Sequence, residues 1–166
     1  MTPNSTVYFA SLAGSYIAPI NNNPTKNDSS TAIVIEPPTP DQGARRVWSD
    51  SQGKLWVSEW NAGQLGMYNP ENNKWKEWKL PGTNPMPYAV FVDDKDIVWL
   101  TDFGSNAFVR FDPKNETFTE IKIPSAGANV RQILGVPGEI WGAESGTDGV
   151  LKSFYAHLII NIYCIS

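Results

Sequence analysis

Two columns of polar residues recur along the chain at a spacing near 43 residues: Arg45, Tyr88 and Arg131 in one, and Glu59, Asp102 and Glu144 in the other. Carboxylates can hold a divalent cation or move a proton. Arginine stays protonated, so Arg45 and Arg131 supply charge and hydrogen bonds rather than a base. Tyr88 becomes a base only beside a cation that lowers its pKa. Trp60 and Phe103 follow the first two acids directly and are the aromatics best placed to touch a ligand. The same columns have a structural use, because alternating arginines and acids can pair between repeats and fix their register. The chain holds one histidine, His157, and one cysteine, Cys164. That excludes a site needing two imidazoles from this chain, an internal disulfide and a cysteine-ligated zinc.

The elements that must position these columns follow from a repeat. Trp56, Trp99 and Trp141 stand 43 and 42 residues apart, each closing a short run: Gly53-Lys54-Leu55-Trp56, Asp96-Ile97-Val98-Trp99 and Gly138-Glu139-Ile140-Trp141. A shift of 43 also superimposes Val47 on Val90, Asp50 on Asp93, Pro70 on Pro113, Lys79 on Lys122 and Pro81 on Pro124. Aromatic character carries over from Trp48 to Phe91, Tyr68 to Phe111 and Trp75 to Phe118. Within one period, four short apolar or alternating runs are separated by turns rich in Gly, Asn and Pro. This reads as an antiparallel meander, and a period of about 40–45 residues suits a four-stranded propeller blade. No window sustains a helical period, so almost no helix is expected. The three repeated tryptophans are expected at equivalent buried positions, with Trp48, Trp75 and Trp78 packing between blades. Asp93-Asp94-Lys95-Asp96 is read as a hairpin turn rather than a calcium loop, since it lacks the distal glutamate.

Composition agrees. The 166 residues are 41% hydrophobic and 18% charged, with 13 Gly, 13 Pro and seven Trp. Such a chain folds. The net charge of −4 and the lack of a basic run exclude a nucleic-acid partner. The longest apolar stretch, Phe154 to Ile165, is broken by His157 and Asn161 and falls short of the roughly 20 residues of a membrane span, so no membrane partner is expected. The N-terminus has neither a basic segment nor a following apolar core, so no signal peptide is read there.

The tryptophan strands, the Asn69-Pro70 and Asp112-Pro113 turns and the Leu80-Pro81-Gly82 ending resemble the streptogramin lyase (virginiamycin B lyase) family. So do Gly43-Ala44-Arg45-Arg46-Val47-Trp48, Trp60-Asn61-Ala62-Gly63-Gln64-Leu65-Gly66 and Trp141-Gly142-Ala143-Glu144-Ser145-Gly146. The resemblance spans about residues 7 to 152. It implies a seven-bladed β-propeller of roughly twice this length, of which this chain looks like an incomplete C-terminal portion. It also implies opening of a cyclic depsipeptide ester by elimination, with Mg2+ held by acids and a histidine as base, in proteins that are often exported. By that resemblance Glu144 is the catalytic candidate, Glu144 and Asp102 the metal candidates, and Arg45, Glu59, Trp60, Tyr88, Asp102, Phe103 and Arg131 the binding rim. The histidine column holds Arg45, Tyr88 and Arg131 instead, and His157 matches neither column. The expected reading is therefore a lyase-like propeller portion inactive by itself. The alternative is a noncatalytic module that binds a small molecule or a protein.

The expected organisation is an all-β, open arc of three to four blades over residues 1–153, with units near 7–40, 44–82, 87–125 and 130–153. Residues 154–166 form an off-repeat apolar tail that reads as foreign sequence or as one replacement strand. Uncovered blade edges in such an arc are expected to favour self-association.

Overall fold

The computed structural model describes residues 1–20, 33–147, 149–154 and 161–165. His157 and the polar loop expected over 21–30 lie outside them. The described residues contain fourteen β-strands and no helix. Strands β1 (Val7–Ser11) and β2 (Tyr16–Ile20) pair, and Ile35 bridges Ile17 on the far side of β2. The second sheet runs β3 (Ala44–Ser49), β4 (Leu55–Glu59), β5 (Gln64–Asn69) and β6 (Lys74–Lys79). The third runs β7 (Pro87–Val92), β8 (Val98–Asp102), β9 (Ala107–Asp112) and β10 (Thr117–Lys122). The fourth runs β11 (Ile133–Val136), β12 (Glu139–Ala143), β13 (Val150–Phe154) and β14 (Asn161–Ile165). Every pairing is antiparallel between chain neighbours. The innermost strands β3, β7 and β11 follow one another in space. The result is an all-β partial propeller, an open arc of blades.

The repeat dictates the turns. Gly53, Asp96 and Gly138 occupy one column between the first two strands of their blades, and all three have positive φ (81°, 59° and 86°). A tight hairpin needs a left-handed residue there, which Gly adopts freely and Asp tolerates. Asp50 closes its turn by accepting from the amides of Gln52 (3.0 Å) and Lys54 (2.9 Å), and Asp93 does the same for Lys95 (2.9 Å) and Ile97 (3.0 Å). The second carboxylate oxygen reaches into the blade. Trp56 Nε1 donates to Asp50 (3.1 Å) and Trp99 Nε1 to Asp93 (2.9 Å). The expected hairpin at 93–96 is thus also the polar anchor of a core tryptophan. In the fourth blade this column holds Val136.

Core clusters fill the gaps between sheets. Tyr8, Ala10 and Ile17 pack on Leu55 and Val57 between the first two sheets. Trp56 and Leu65 pack on Val90, Leu100 and Phe111 between the second and third. Trp99 and Phe108 pack on Ile133 and Ile140 between the third and fourth. Each tryptophan therefore leans on the blade that follows. Trp56 stacks on Trp78 (5.8 Å, 22°), and Trp48 meets Phe91 edge-on (5.2 Å, 62°). Trp56 and Trp99 are buried, but Trp141 is only half-buried, unlike the expectation of equivalence. The reason is position, since no described blade follows the fourth sheet. The tail supplies that sheet's outer strand: β14 pairs with β13 from Asn161↔Phe154 to Ile165↔Val150.

Candidate functional site

Both polar columns fall at the same end of their blades, where the first strand starts and the second stops. Ala44 pairs with Glu59 and Pro87 with Asp102, and each first strand then carries a β-bulge, at Ala44/Arg46 and at Pro87/Val90. A bulge inserts a residue outside the ladder and re-aims its side chain. Arg45 and Tyr88 are the repeat-equivalent residues so placed. The amide each bulge displaces finds a hydroxyl on the second strand: Arg46 N–H donates to Ser58 Oγ (3.2 Å) and Ala89 N–H to Thr101 Oγ1 (3.0 Å). Ser58 Oγ in turn donates to the Tyr88 carbonyl (2.7 Å), tying the second blade to the third. The fourth blade has Ala143 in the hydroxyl column and a regular β11–β12 register. Arg131 precedes β11 and is exposed.

The bulges bring four of the expected rim residues together. The Arg45 guanidinium lies over the Tyr88 ring (4.2 Å to its centroid) and donates to the Tyr88 hydroxyl. Tyr88 stacks on Phe103 (4.9 Å, 9°). Trp60 meets both edge-on, at 5.7 Å from Tyr88 and 5.4 Å from Phe103. The cluster crosses the seam between the second and third blades. Arg45, Trp60 and Phe103 are partly exposed, while Tyr88 is buried beneath them.

The three acids do three different things. Asp102 locks its own loop through the amides of Gly104 (3.0 Å) and Ser105 (3.2 Å) and ties it to the segment before β7 by accepting from the amide of Met86 (2.6 Å). Glu144 accepts from Thr147 Oγ1, and its amide donates to the Gly149 carbonyl (3.0 Å). Glu59 is fully buried against Gly66 and Trp75. One of its oxygens accepts from Gln64 Nε2 (2.9 Å), and the other has no hydrogen-bond partner among the described residues. Burial pushes its pKa up to about 7, with Glu77 adding to the rise and Gln64 and Lys79 opposing it. Gln64 also donates to Thr39 Oγ1 (3.0 Å), which donates to Glu77 (2.7 Å). The strap before β3 is thereby tied to the second blade.

The ion pairs between described residues lie at Lys76–Glu116, Arg110–Asp112 (3.5 Å) and Lys122–Glu120. None joins the Arg column to the acid column, so the expected ring of Arg–acid pairs does not form there. Tyr88 takes the carboxylate's place beside Arg45.

No group of three or more His, Cys, Asp or Glu side chains converges among the described residues. Asp102, whose oxygens serve the amides of Met86, Gly104 and Ser105, and Glu144, which accepts from Thr147, stand in separate blades. The described residues do not assemble a Mg2+ site. The residues that sequence reasoning missed are Gln64, Thr39, Ser58 and Thr101. Ser58 and Thr101 share a repeat column and were findable, whereas Gln64 aligns with Ala107 and carries no repeated signal.

Neither a protein-family model nor a curated protein matches the sequence. Solved structures do. The strand order and the blade-on-blade packing define a partial β-propeller. Specifically, the chain has the streptogramin lyase fold. It is similar to virginiamycin B lyase from Staphylococcus aureus, with a TM-score of 0.82 and 23% identity over 99% of this chain and 53% of that one. It is also similar to a streptogramin B lyase (TM-score 0.83, 19% identity, 99% and 52%). A third match is a catalytically inactive variant of the S. aureus lyase with quinupristin (TM-score 0.76, 18% identity, 99% and 58%). The chain spans about half the length of these structures.

Proposed function

We propose that this chain is a streptogramin lyase-like propeller module that binds a small molecule at its bulged end without turning it over by itself. The observation that carries the reading is the Arg45–Tyr88–Phe103–Trp60 cluster. It offers the half-buried rings of Trp60 and Phe103 and a cation, suited to a ligand with an aromatic ring and a carbonyl or carboxylate. The acids at the same end are committed to loops or buried, and arginine or tyrosine fills the column where the resemblance puts a basic histidine. The lyase-like reading thus extends to the ligand class, a cyclic depsipeptide such as quinupristin, and stops short of its chemistry.

The test is titration with quinupristin in the presence of Mg2+, followed by Trp fluorescence, with chromatography of the recovered antibiotic. Saturable quenching that Trp60→Ala removes, with the antibiotic returned intact, is expected. Absence of quenching overturns the binding. Ring opening that Glu144→Ala abolishes overturns the noncatalytic part.

A further inference from the structure

The second and third blades also meet at the end opposite the rim, where β3 and β7 finish and β4 and β8 begin. The inner turns there are clasped across the seam. Ser51 donates to Asp96 through its amide (2.9 Å) and its hydroxyl (2.6 Å). The outer turn, after β9, is clasped as well: Lys76 and the Trp78 indole (3.1 Å) of β6 donate to Glu116. Residues of the inner turns and of the end of β9 line a cavity of about 460 Å3 in this seam. That volume falls in the range of small-molecule pockets.

Trp56, Ile97 and Pro113 give the cavity its apolar wall, and Lys54, Lys95, Arg110 and Lys114 set four positive charges around it against those of Asp50, Asp96 and Asp112. The acids already serve the fold. Asp50 accepts from the Gln52 and Lys54 amides and the Trp56 indole. Asp96 accepts from Ser51, and Asp112 accepts from the Lys114 amide (3.0 Å) and pairs with Arg110 (3.5 Å). The lysines are less committed. Lys54 Nζ donates to the neutral Gln52 side chain (2.8 Å), and neither Lys54 nor Lys114 takes part in an ion pair between described residues.

The repeat separates what the blade needs from what the cavity adds. A shift of 43 places Lys54 on Ile97, Met67 on Arg110 and Glu71 on Lys114. Each cation thus stands where the sister blade has a neutral or acidic residue. The aspartate that anchors a core tryptophan does recur, as Asp50 and Asp93. A side chain required by turn or core repeats with the blade, whereas these three cations depart from the repeat around one cavity.

We infer that this cavity is a second binding site, which takes a small phosphate monoester. The apolar body of the ester rests against Trp56, Ile97 and Pro113, and Lys54, Arg110 and Lys114 hold its dianionic head. A guanidinium fork and two ammonium groups are the donors that phosphate oxygens take, and low-dielectric walls strengthen the attraction. The site lies between two interior blades and at the opposite end from the Arg45 cluster. It does not rest on the rim reading and fails separately from it.

The experiment titrates the isotopically labelled 166-residue chain with phenyl phosphate, followed by calorimetry and two-dimensional NMR. Phenol and inorganic phosphate serve as probes that lack the charge or the apolar body. Saturable binding is expected, with shifts at the amides of Lys54, Ile97 and Lys114 and at the Trp56 indole N–H, and weaker binding of both partial probes. Lys54→Gln combined with Lys114→Gln should weaken phenyl phosphate binding roughly tenfold or more. Both positions reach solvent, and circular dichroism verifies folding. Arg45→Ala at the rim should leave the binding unchanged. Absence of saturable binding overturns the inference. So does binding that Arg45→Ala abolishes and the lysine substitutions leave intact, which would assign the anion to the rim. Phenol binding as tightly as phenyl phosphate overturns the role of the cations, and inorganic phosphate binding as tightly overturns that of the apolar wall.

Discussion

Trp99 and Trp141 hold the same place in the repeat and live in different surroundings. Trp99 is wholly buried between the third and fourth sheets, and its indole N–H is held by Asp93. Trp141 is half-buried on the last sheet, where Val136 stands in the aspartate column. A blade's own strands thus bury its tryptophan only in part. The following blade completes the burial, so each unit draws part of its stability from the seam to its neighbour, as in other repeat architectures.

The largest effect should come from breaking a covered seam. Trp99→Ala should cost about 3–5 kcal/mol, and Trp141→Ala about 1 kcal/mol or less. Urea denaturation measures both. Equal losses would mean that the two tryptophans contribute alike and that the seam is not the stabilising unit.

The acid column sharpens the contrast between a covered and an open position. Glu59 is buried in the second blade with a pKa of about 7 against an ordinary 4.5. The folded state therefore holds the extra proton between those values, and stability falls as pH rises through the window, by about 3 kcal/mol in all. Glu59→Gln should flatten that slope and be the more stable form above pH 7, as read from melting temperatures between pH 4.5 and 8. A wild-type profile that rises across this window would contradict the burial of Glu59.

A smaller effect is expected at the turn anchors. Asp93→Ala leaves a buried indole N–H and two turn amides without their acceptor, for a loss of about 1–3 kcal/mol. Val136→Ala at the matching open position should change stability by less than about 0.5 kcal/mol. Near-ultraviolet circular dichroism should show the Trp99 band change only in the first. The smallest effect belongs to the rim. Arg45→Ala removes a guanidinium–ring contact worth roughly 0.5–1 kcal/mol, so its melting point should hardly move while quinupristin quenching weakens.

The blade architecture was legible because a 43-residue period imposes itself on many residue types at once. Turn columns such as Gly53, Asp96 and Gly138 and core columns such as Trp56 and Trp99 point to one answer. The site was legible in part. Position in the repeat put Arg45, Trp60, Tyr88 and Phe103 at one end, and the structure joins them. What a column could not reveal is the partner of a polar atom. Glu59 and Asp102 align, yet one extra methylene and the neighbouring Gln64 send Glu59 into the sheet gap while Asp102 folds back on its loop amides. The missing Arg–acid pairs have the same origin, because Tyr88 reaches Arg45 before a carboxylate does. The altered end of the last repeat read as a lost strand or a replacement, and backbone pairing with β13 decides for the replacement.

The bulges at Arg45 and Tyr88 have a consequence for how such a repeat can diversify. Side chains in a strand alternate between two packed faces, so most positions answer either to a core or to a ladder partner. A bulged residue has no ladder partner, and the hydroxyls of Ser58 and Thr101 already satisfy the amides beside it. Where the bulged side chain is also only half-buried, as at Arg45, it can be rewritten while the blade's register stays as it is; where it is buried in the seam, as at Tyr88, packing still holds it. Combinatorial variation confined to position 45 would change what the rim recognises and leave the propeller intact.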